Sequence, residues 1–536
     1  MIEYTFAGPG VESGPTWSRS FLEPLAPGAL TQFSSSLLAE IVARTWYLYY
    51  DRLGFAPTPK TRVVKTIQGR PFVNLTVSAR LDADNAGLEP PAFVVDGNRR
   101  ALFAWQKPGF LGGMKLGRGA KKIDETLAAL QSELPDITAR AREWHDKVLA
   151  LRWSQAEVLQ IMEEIERYGA AALLPYFAAR HNLEAAVRCL LDLLGARPAT
   201  EAMAMLAATL GGAEALLEND MAQRIRMLGR MVAAQPQIAA WLHAGNFDDW
   251  TSSVPAGDFA DAARTFFGLY GHRGLAEGDV CNPRWNERPA AVFRAIQIAA
   301  AHPATATMAG AGPVDTLLAT VDGKAQKEAG RLVERIRMLI DMQSRALNAF
   351  AYILAATRRW ALAAGHEAMA DRRITELDNV FFYELEEMKQ MMTGEWNVSD
   401  RSGIHETAGE RRAHFAQWQQ AVPAPLVWGE RAMQAKGAAL PAAAGQASGP
   451  VIKLDANEAT SGRAILALVQ PGSGAAILLA AASGYFSAQG SLHDPLAACA
   501  RTLALPAVVD LGDAFFNLAT SPRVTVDGAQ GKVHAE

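Results

Sequence analysis

A chain of 536 residues, half hydrophobic and a fifth charged, suits a globular protein with a large core and roughly two to four domains. Its net charge of −4 gives no electrostatic footing for nucleic acid or an acidic membrane. Three scattered cysteines, Cys189, Cys281 and Cys499, lack C-x-x-C spacing and argue against a disulfide framework or a zinc site.

The opening M-I-E-Y-T-F-A-G-P-G has no basic region followed by an apolar run, so it does not read as a secretory signal. Apolar runs fall short of the roughly 18 to 20 residues that span a bilayer. A cytoplasmic protein that neither crosses nor binds a membrane is expected. Residues 1 to about 120 are rich in Pro and Gly. Within them, Leu38, Ile41, Val42, Thr45 and Trp46 predict a helix over 37–50, and G-R-P-F-V-N-L-T-V at 69–77 predicts a strand or extended segment. The run K-P-G-F-L-G-G-M-K-L-G-R-G-A-K-K at 107–122 mixes glycine with lysine but lacks G-x-x-x-x-G-K-[ST]. A mobile basic loop is expected there rather than a phosphate cradle.

From Ile123 to about Ala244 helical periodicity dominates. Ser154 with Glu157 forms a capping box ahead of Val158, Ile161, Met162 and Ile165. Methionines 203, 205, 221, 227 and 231 suit irregular core gaps or a soft pocket. The segment Gly268–Pro289, G-L-Y-G-H-R-G-L-A-E-G-D-V-C-N-P-R-W-N-E-R-P, then gathers polar, charged and aromatic groups between helical patterns. That is how a ligand site is commonly built, although Arg–Glu pairs fixing a surface loop would read the same way. Helices are predicted over 290–301 and 324–365. The run 377–388 predicts a turn, a short apolar segment and a further helix.

At 436–450 small residues, glycines and prolines predict a linker or hinge. Beyond it, short apolar runs at 451–454, 464–469, 475–482, 505–511 and 524–526 predict a compact α/β domain. In G-S-L-H-D-P-L-A-A-C-A-R, Asp494 and Pro495 read as N-cap and first residue of a helix over 496–503. Asp494 is expected to occupy that helix's free N–H donors and to disfavour a further negative charge on its neighbour His493.

Two of these stretches carry a resemblance. G-H-R-G-L-A-E-G-D-V-C-N-P-R-W-N-E-R-P resembles the central helical domain of rifampin phosphotransferase and its relatives among phosphoenolpyruvate-synthase-like dikinases. A-R-T-L-A-L-P-A-V-V-D-L-G-D-A with V-T-V-D-G-A-Q-G-K-V resembles their swivelling phosphohistidine domain. A-G-Q-A-S-G-P-V-I at 444–452 and G-R-P-F-V-N-L at 69–75 look like further landmarks in the same order. The resemblance implies a mainly α chain. A large helical acceptor domain would cover 1–435, with a linker at 436–450 and a small swivelling α/β domain at 451–536.

In that family an ATP-grasp domain phosphorylates a histidine on the swivelling domain, which carries the phosphoryl to an acceptor and leaves AMP and phosphate. No ATP-grasp region is recognisable here, so the resemblance implies a separate ATP-grasp subunit that binds ATP and Mg²⁺. The layout is similar to split aryl dikinases such as phenylphosphate synthase and the hydroxyphenylethanone type, whose acceptor is a small phenolic hydroxyl. By match to the motif, Arg273 and Arg284 are candidates to hold the phosphoryl oxygens, and His272 or Glu277 to take the acceptor proton. Trp285, Tyr270 and Phe267 are candidates to contact a flat aromatic substrate, or else are core; Phe266, Phe350 and Tyr352 share that double reading. No metal or cofactor ligand is assigned to this chain.

One departure matters. The family's histidine stands six residues before the arginine; counting back from Arg501 reaches Pro495, and His493 lies two residues too early. Three readings stay open: a degenerate domain whose partner brings the phosphohistidine, a shifted active carrier through His493, and a non-catalytic scaffold or regulatory subunit.

Overall fold

Alanine-rich, proline-poor stretches favour helix, and helices dominate the computed structural model, which describes residues 5–6, 14–56, 61–95, 98–106, 108–151, 153–194, 199–210, 216–302, 314–396, 401–421, 424–434, 437–453 and 464–536. Strands β1 (Thr5–Phe6) and β2 (Thr16–Ser18) precede α1 (Gln32–Leu53). Then β3 (Val64–Ile67) and β4 (Arg70–Asn74) lead into α2 (Leu75–Ala86), and β5 (Ala92–Val95) and β6 (Asn98–Ala101) into α3 (Phe110–Ala150) and α4 (Gln155–Leu194). Five helices follow: α5 (Ala199–Leu210), α6 (Leu217–Ala233), α7 (Pro236–Ala244), α8 (Trp250–Ser253) and α9 (Asp258–Tyr270). Past the loop come α10 (Ala290–Ala301), α11 (Val314–Leu318) and α12 (Gly323–Ala370), then a 3-10 turn (Leu377–Phe382), α13 (Leu385–Thr393) and α14 (Arg401–Gln420). The remainder alternates: β7 (Leu426–Trp428), β8 (Arg431–Met433), β9 (Leu440–Ala443), β10 (Gln446–Lys453), β11 (Ile465–Leu468), α15 (Ala476–Leu479) and β12 (Gly484–Ser487). It closes with α16 (Pro495–Thr502), β13 (Ala507–Val509), α17 (Ala514–Ala519), β14 (Arg523–Asp527) and β15 (Lys532–Ala535).

The chain forms two compact units. The first comprises residues 1–181, 277–282 and 346–435. Its five-stranded sheet runs β3-β4-β2-β7-β8, and a three-stranded sheet runs β1-β5-β6. Helix α1 buries Phe33, Leu37, Leu38, Ile41, Val42, Trp46, Tyr49, Tyr50 and Leu53, an apolar stripe at helical spacing. Asn74 ends β4 and opens α2, its side chain accepting from Val77 N (3.2 Å), so the segment 69–77 is half strand and half helix. The expected basic loop at 107–122 is helix from Phe110 onward. A methyl group added at Gly119 would fall 2.0 Å from the Asn85 carbonyl oxygen, so this glycine serves the close crossing of α3 over α2. The Ser154–Glu157 capping box is reciprocal: Ser154 N donates to Glu157 Oε2 (2.7 Å) and Glu157 N to Ser154 Oγ (3.3 Å).

The second unit comprises residues 182–276, 283–345 and 436–536. Its seven-stranded sheet runs β15-β14-β10-β11-β12-β13-β9, with β10 to β13 parallel and β14, β15 and β9 antiparallel to their neighbours. Parallel neighbours need crossovers. Helix α15 supplies one between β11 and β12, and α16 the next between β12 and β13. Ile465, Ala467, Phe486, Val508, Val524 and Val526 of the sheet form a core with Phe515 of α17. Residues 440–443 and 446–450, expected within a linker, are β9 and the first part of β10. Small residues fit there because the backbones close in: a methyl group at Gly528 would fall 1.8 Å from the Ala443 carbonyl oxygen. Helix α6 packs against α7, α9 and α10, and against α15 and α16.

Most of the N-terminal decapeptide, together with Lys107, Lys436 and Leu454, lies outside the described residues. No described helix is long and apolar enough to cross a membrane.

Candidate functional site

The stretch 268–289 is divided between the units: 277–282 belongs to the first, the flanking parts to the second. In the second unit the flanks are clasped together. Trp285 N donates to Arg273 O (2.8 Å) and Asn286 N to Gly271 O (2.9 Å). The clasp needs glycine, since a methyl group at Gly271 would fall 2.0 Å from Asn286 Oδ1. The expected His272, Arg273, Arg284 and Trp285 are all buried here, Arg273 at 0 % exposure. Phe267, Tyr270 and Trp285 join an aromatic wall. Phe266 stands 5.9 Å from Trp285 and 5.5 Å from Tyr270, and Phe267 stands 4.7 Å from Trp250 and 5.5 Å from Phe293. Phe350 and Tyr352, in the first unit, are buried in α12. Trp285 Nε1 is buried and has no hydrogen-bond partner among the described residues, unusual for an indole donor held away from water.

Three polar groups that the sequence did not single out organise this region. Arg273 Nη2 donates to Ser473 Oγ (3.0 Å), and the Ser473 hydroxyl donates to Glu218 Oε1. Ser344 donates to Glu218 Oε2 (2.5 Å) and accepts from Leu217 N (3.2 Å). Glu218, Ser344 and Ser473 are buried. Beside them, the Tyr270 hydroxyl donates to Asp220 Oδ2 (2.5 Å), which also accepts from Arg224 Nε (2.6 Å). Burial, then the bond to Asp220 and its charge, push the Tyr270 phenol well above its ordinary range. The only sequence signal was the run L-E-N-D at 217–220, an acidic first turn on an otherwise apolar-striped helix.

In the first unit, Glu277 is buried and Asp279 ties the loop to α1. Its carboxylate accepts from Thr31 N (2.8 Å), Thr31 Oγ1 (2.8 Å), Ser34 Oγ (2.6 Å) and Cys281 N (3.1 Å). Arg358 Nη1 donates to the carbonyls of Val280 (3.1 Å) and Cys281 (2.6 Å). A separate buried cluster joins His181 Nε2 to Asp82 Oδ2 (2.6 Å) and the Tyr50 hydroxyl to Asp82 Oδ1 (3.3 Å). Tyr50 lies far above its usual range through burial and the Asp82 charge.

His493 is buried just ahead of α16. Asp494 is the N-cap residue and Pro495 the first helical residue, as expected, but the Asp494 side chain does not cap the helix. Its Oδ2 instead accepts from Ser491 N (2.7 Å), closing the preceding turn. The expectation that Asp494 occupies the helix donors is therefore corrected: the carboxylate turns back toward the loop. Arg501 Nη1 donates to Ala442 O (2.9 Å), and burial lowers its guanidinium to about 10. Among the described residues no group of three or more His, Cys, Asp or Glu is placed to hold a metal ion.

No curated protein matches the sequence. Residues 173–362 match the rifampicin phosphotransferase fourth domain, and residues 461–531 match the mobile domain of PEP-utilising enzymes. Both are domains of phosphotransferases of the PEP-utilising family, and together they support a dikinase-like phosphotransfer role for the chain.

Proposed function

We propose that this chain is the acceptor subunit of an ATP-dependent dikinase that phosphorylates a small phenolic hydroxyl, giving aryl phosphate, AMP and phosphate. A partner chain carries the ATP-grasp site, with ATP and Mg²⁺, and the phosphohistidine. The observation that carries this reading is the burial of the His272–Arg273 turn beside an aromatic wall, with an unpartnered indole donor at Trp285. Cations out of water stabilise phosphoryl oxygens far better than exposed ones. Arg273 and Arg284 supply that charge. The motif's two candidates for the base are His272, in the second unit, and Glu277, in the first. Phe267, Tyr270 and Trp285 supply flat apolar surface for a phenol. Pro495 at the position of the carrier histidine supports placing that histidine on the partner.

The test combines the chain with an ATP-grasp partner bearing its own phosphohistidine, ATP, Mg²⁺ and 4-hydroxyphenylethanone. Aryl phosphate and AMP are expected in equal amounts, with no turnover by the chain alone. Equal turnover without the partner overturns the split arrangement. Acid-labile, base-stable phosphate that disappears in His493→Ala overturns the assignment of the carrier to the partner. Unchanged turnover in Arg273→Ala, with the complex intact, reduces the chain to a scaffold.

A further inference from the structure

We infer that the C-terminal α/β layer, residues 437–453 and 464–536, is a fixed part of the acceptor body, and that Ser473 from this layer and Glu218 from α6 are positioning residues for Arg273. Only the catalytic half of this inference rests on the function proposed above.

The hydrogen-bond chain runs in one direction and is filled at every step. Arg273 donates to Ser473, Ser473 donates to Glu218, and Glu218 accepts a second hydroxyl from Ser344, which accepts in turn from Leu217 N. Each serine oxygen therefore both gives and receives, and each carboxylate oxygen has a donor. Such a chain sets the height and rotation of the guanidinium, because a charged group out of water has few alternative partners. Lifting the layer away takes Ser473 with it and leaves Glu218 and Arg273 each short of a partner.

Three further observations place the layer against the loop and α6. A methyl group at Gly474 would fall 1.9 Å from the Gly274 carbonyl oxygen, so the layer's backbone sits directly on the backbone of the loop. Asn219 Nδ2 donates to Thr502 Oγ1 (3.2 Å) and Arg226 Nε to Ala480 O (3.3 Å), both from α6. Every residue of α16 from Pro495 to Thr502 is buried. A helix on one face of a free α/β domain keeps an exposed side; α16 keeps none, with α6 against it. A domain built to leave would expose this apolar and polar surface on each cycle.

The test uses the full chain. Hydrogen exchange followed by mass spectrometry should give amides of α15 and α16 the same slow class as those of α6. A fast or bimodal class for α15 and α16, with α6 still protected, overturns fixed docking whether or not the chain is a dikinase subunit. The double variant Asn219→Cys/Thr502→Cys, with the new disulfide distinguished from nearby Cys499 by peptide mapping, should keep aryl-phosphate turnover with the partner within about twofold. Loss of turnover on oxidation and its return on reduction would mean that the layer moves. Ser473→Ala should lower kcat at least about tenfold with KM little changed, and Ser473→Thr, which keeps the hydroxyl, should recover most of it. Equal loss in both, or loss confined to KM, removes the positioning role and leaves packing alone.

Discussion

Asp279 shows how much a single carboxylate contributes at the head of a helix. It accepts from the N–H and hydroxyl of Thr31, immediately before α1, and from Ser34 Oγ, while Ser34 Oγ accepts from Val280 N (2.8 Å). The N-terminal end of a helix favours negative charge, and its first N–H groups need acceptors. Asp279→Ala should destabilise the protein by about 3 kcal/mol, since several buried donors lose a charged partner together. Asp279→Asn, which keeps one acceptor oxygen, should cost less. Equal chemical denaturation midpoints for wild type and Asp279→Ala would sink this account. The sequence placed Asp279 in a charge-rich loop but not in this role, because its partners lie 245 and 248 residues away. Glu218 and Ser473 escaped for the same reason, being separated by 255 positions. Motif and periodicity report neighbours along the chain, and these contacts are made by tertiary packing. Arg273 and Trp285 stood out in the sequence because their residue types cluster in one short run that resembles a family motif, and the structure buries both.

At the level of elements, α3 carries a pH-sensitive group. His145 is buried, its ring 5.4 Å from that of Tyr352 on α12, and its Nδ1 lies 2.9 Å from Asp146 Oδ1. Burial lowers its pKa, outweighing the opposite pull of Asp146, and Arg142 adds to the lowering. The folded state therefore binds this proton less readily than the unfolded chain. The stability from neutral His145 is whole above about pH 6.5 and is lost as pH falls through the lowered folded value. Thermal midpoints between pH 7.5 and 5 should fall more steeply for wild type than for His145→Gln; parallel curves would refute it. Elements of this kind were the most legible part of the fold. The helix over 290–301 and the start of α4 followed from apolar spacing and the Ser154–Glu157 box, signals that act within a few residues. The 107–122 stretch misled because glycine carries two meanings, a flexible loop or a close helix crossing, and only the position of Asn85 on α2 decides between them. Strand β12 was missed since G-Y-F-S is too short for alternation to register.

At the scale of the molecule, composition and contacts divide the chain differently. The shift toward small residues at 436–450 is real, yet β9 begins at Leu440, and the layer that follows shares a compact unit with 182–276 and 283–345. What joins them is a face that neither part covers alone. Helix α6 buries Glu218, Asn219, Met221, Ala222 and Ile225, and α15 and α16 both pack on this helix. Removing the layer uncovers apolar surface together with a carboxylate deprived of Ser473, and both changes oppose folding. A chain ending at residue 435 should therefore lose protection throughout α6, α9 and α10. Exchange there should be at least about tenfold faster than in the intact chain, the factor expected when even 1.4 kcal/mol of local stability is lost. Adding back the separate 437–536 segment should restore it in proportion to binding. Protection in α6 unchanged by the truncation would mean that the helices stand without the layer, and the shared core would then contribute nothing measurable to their stability.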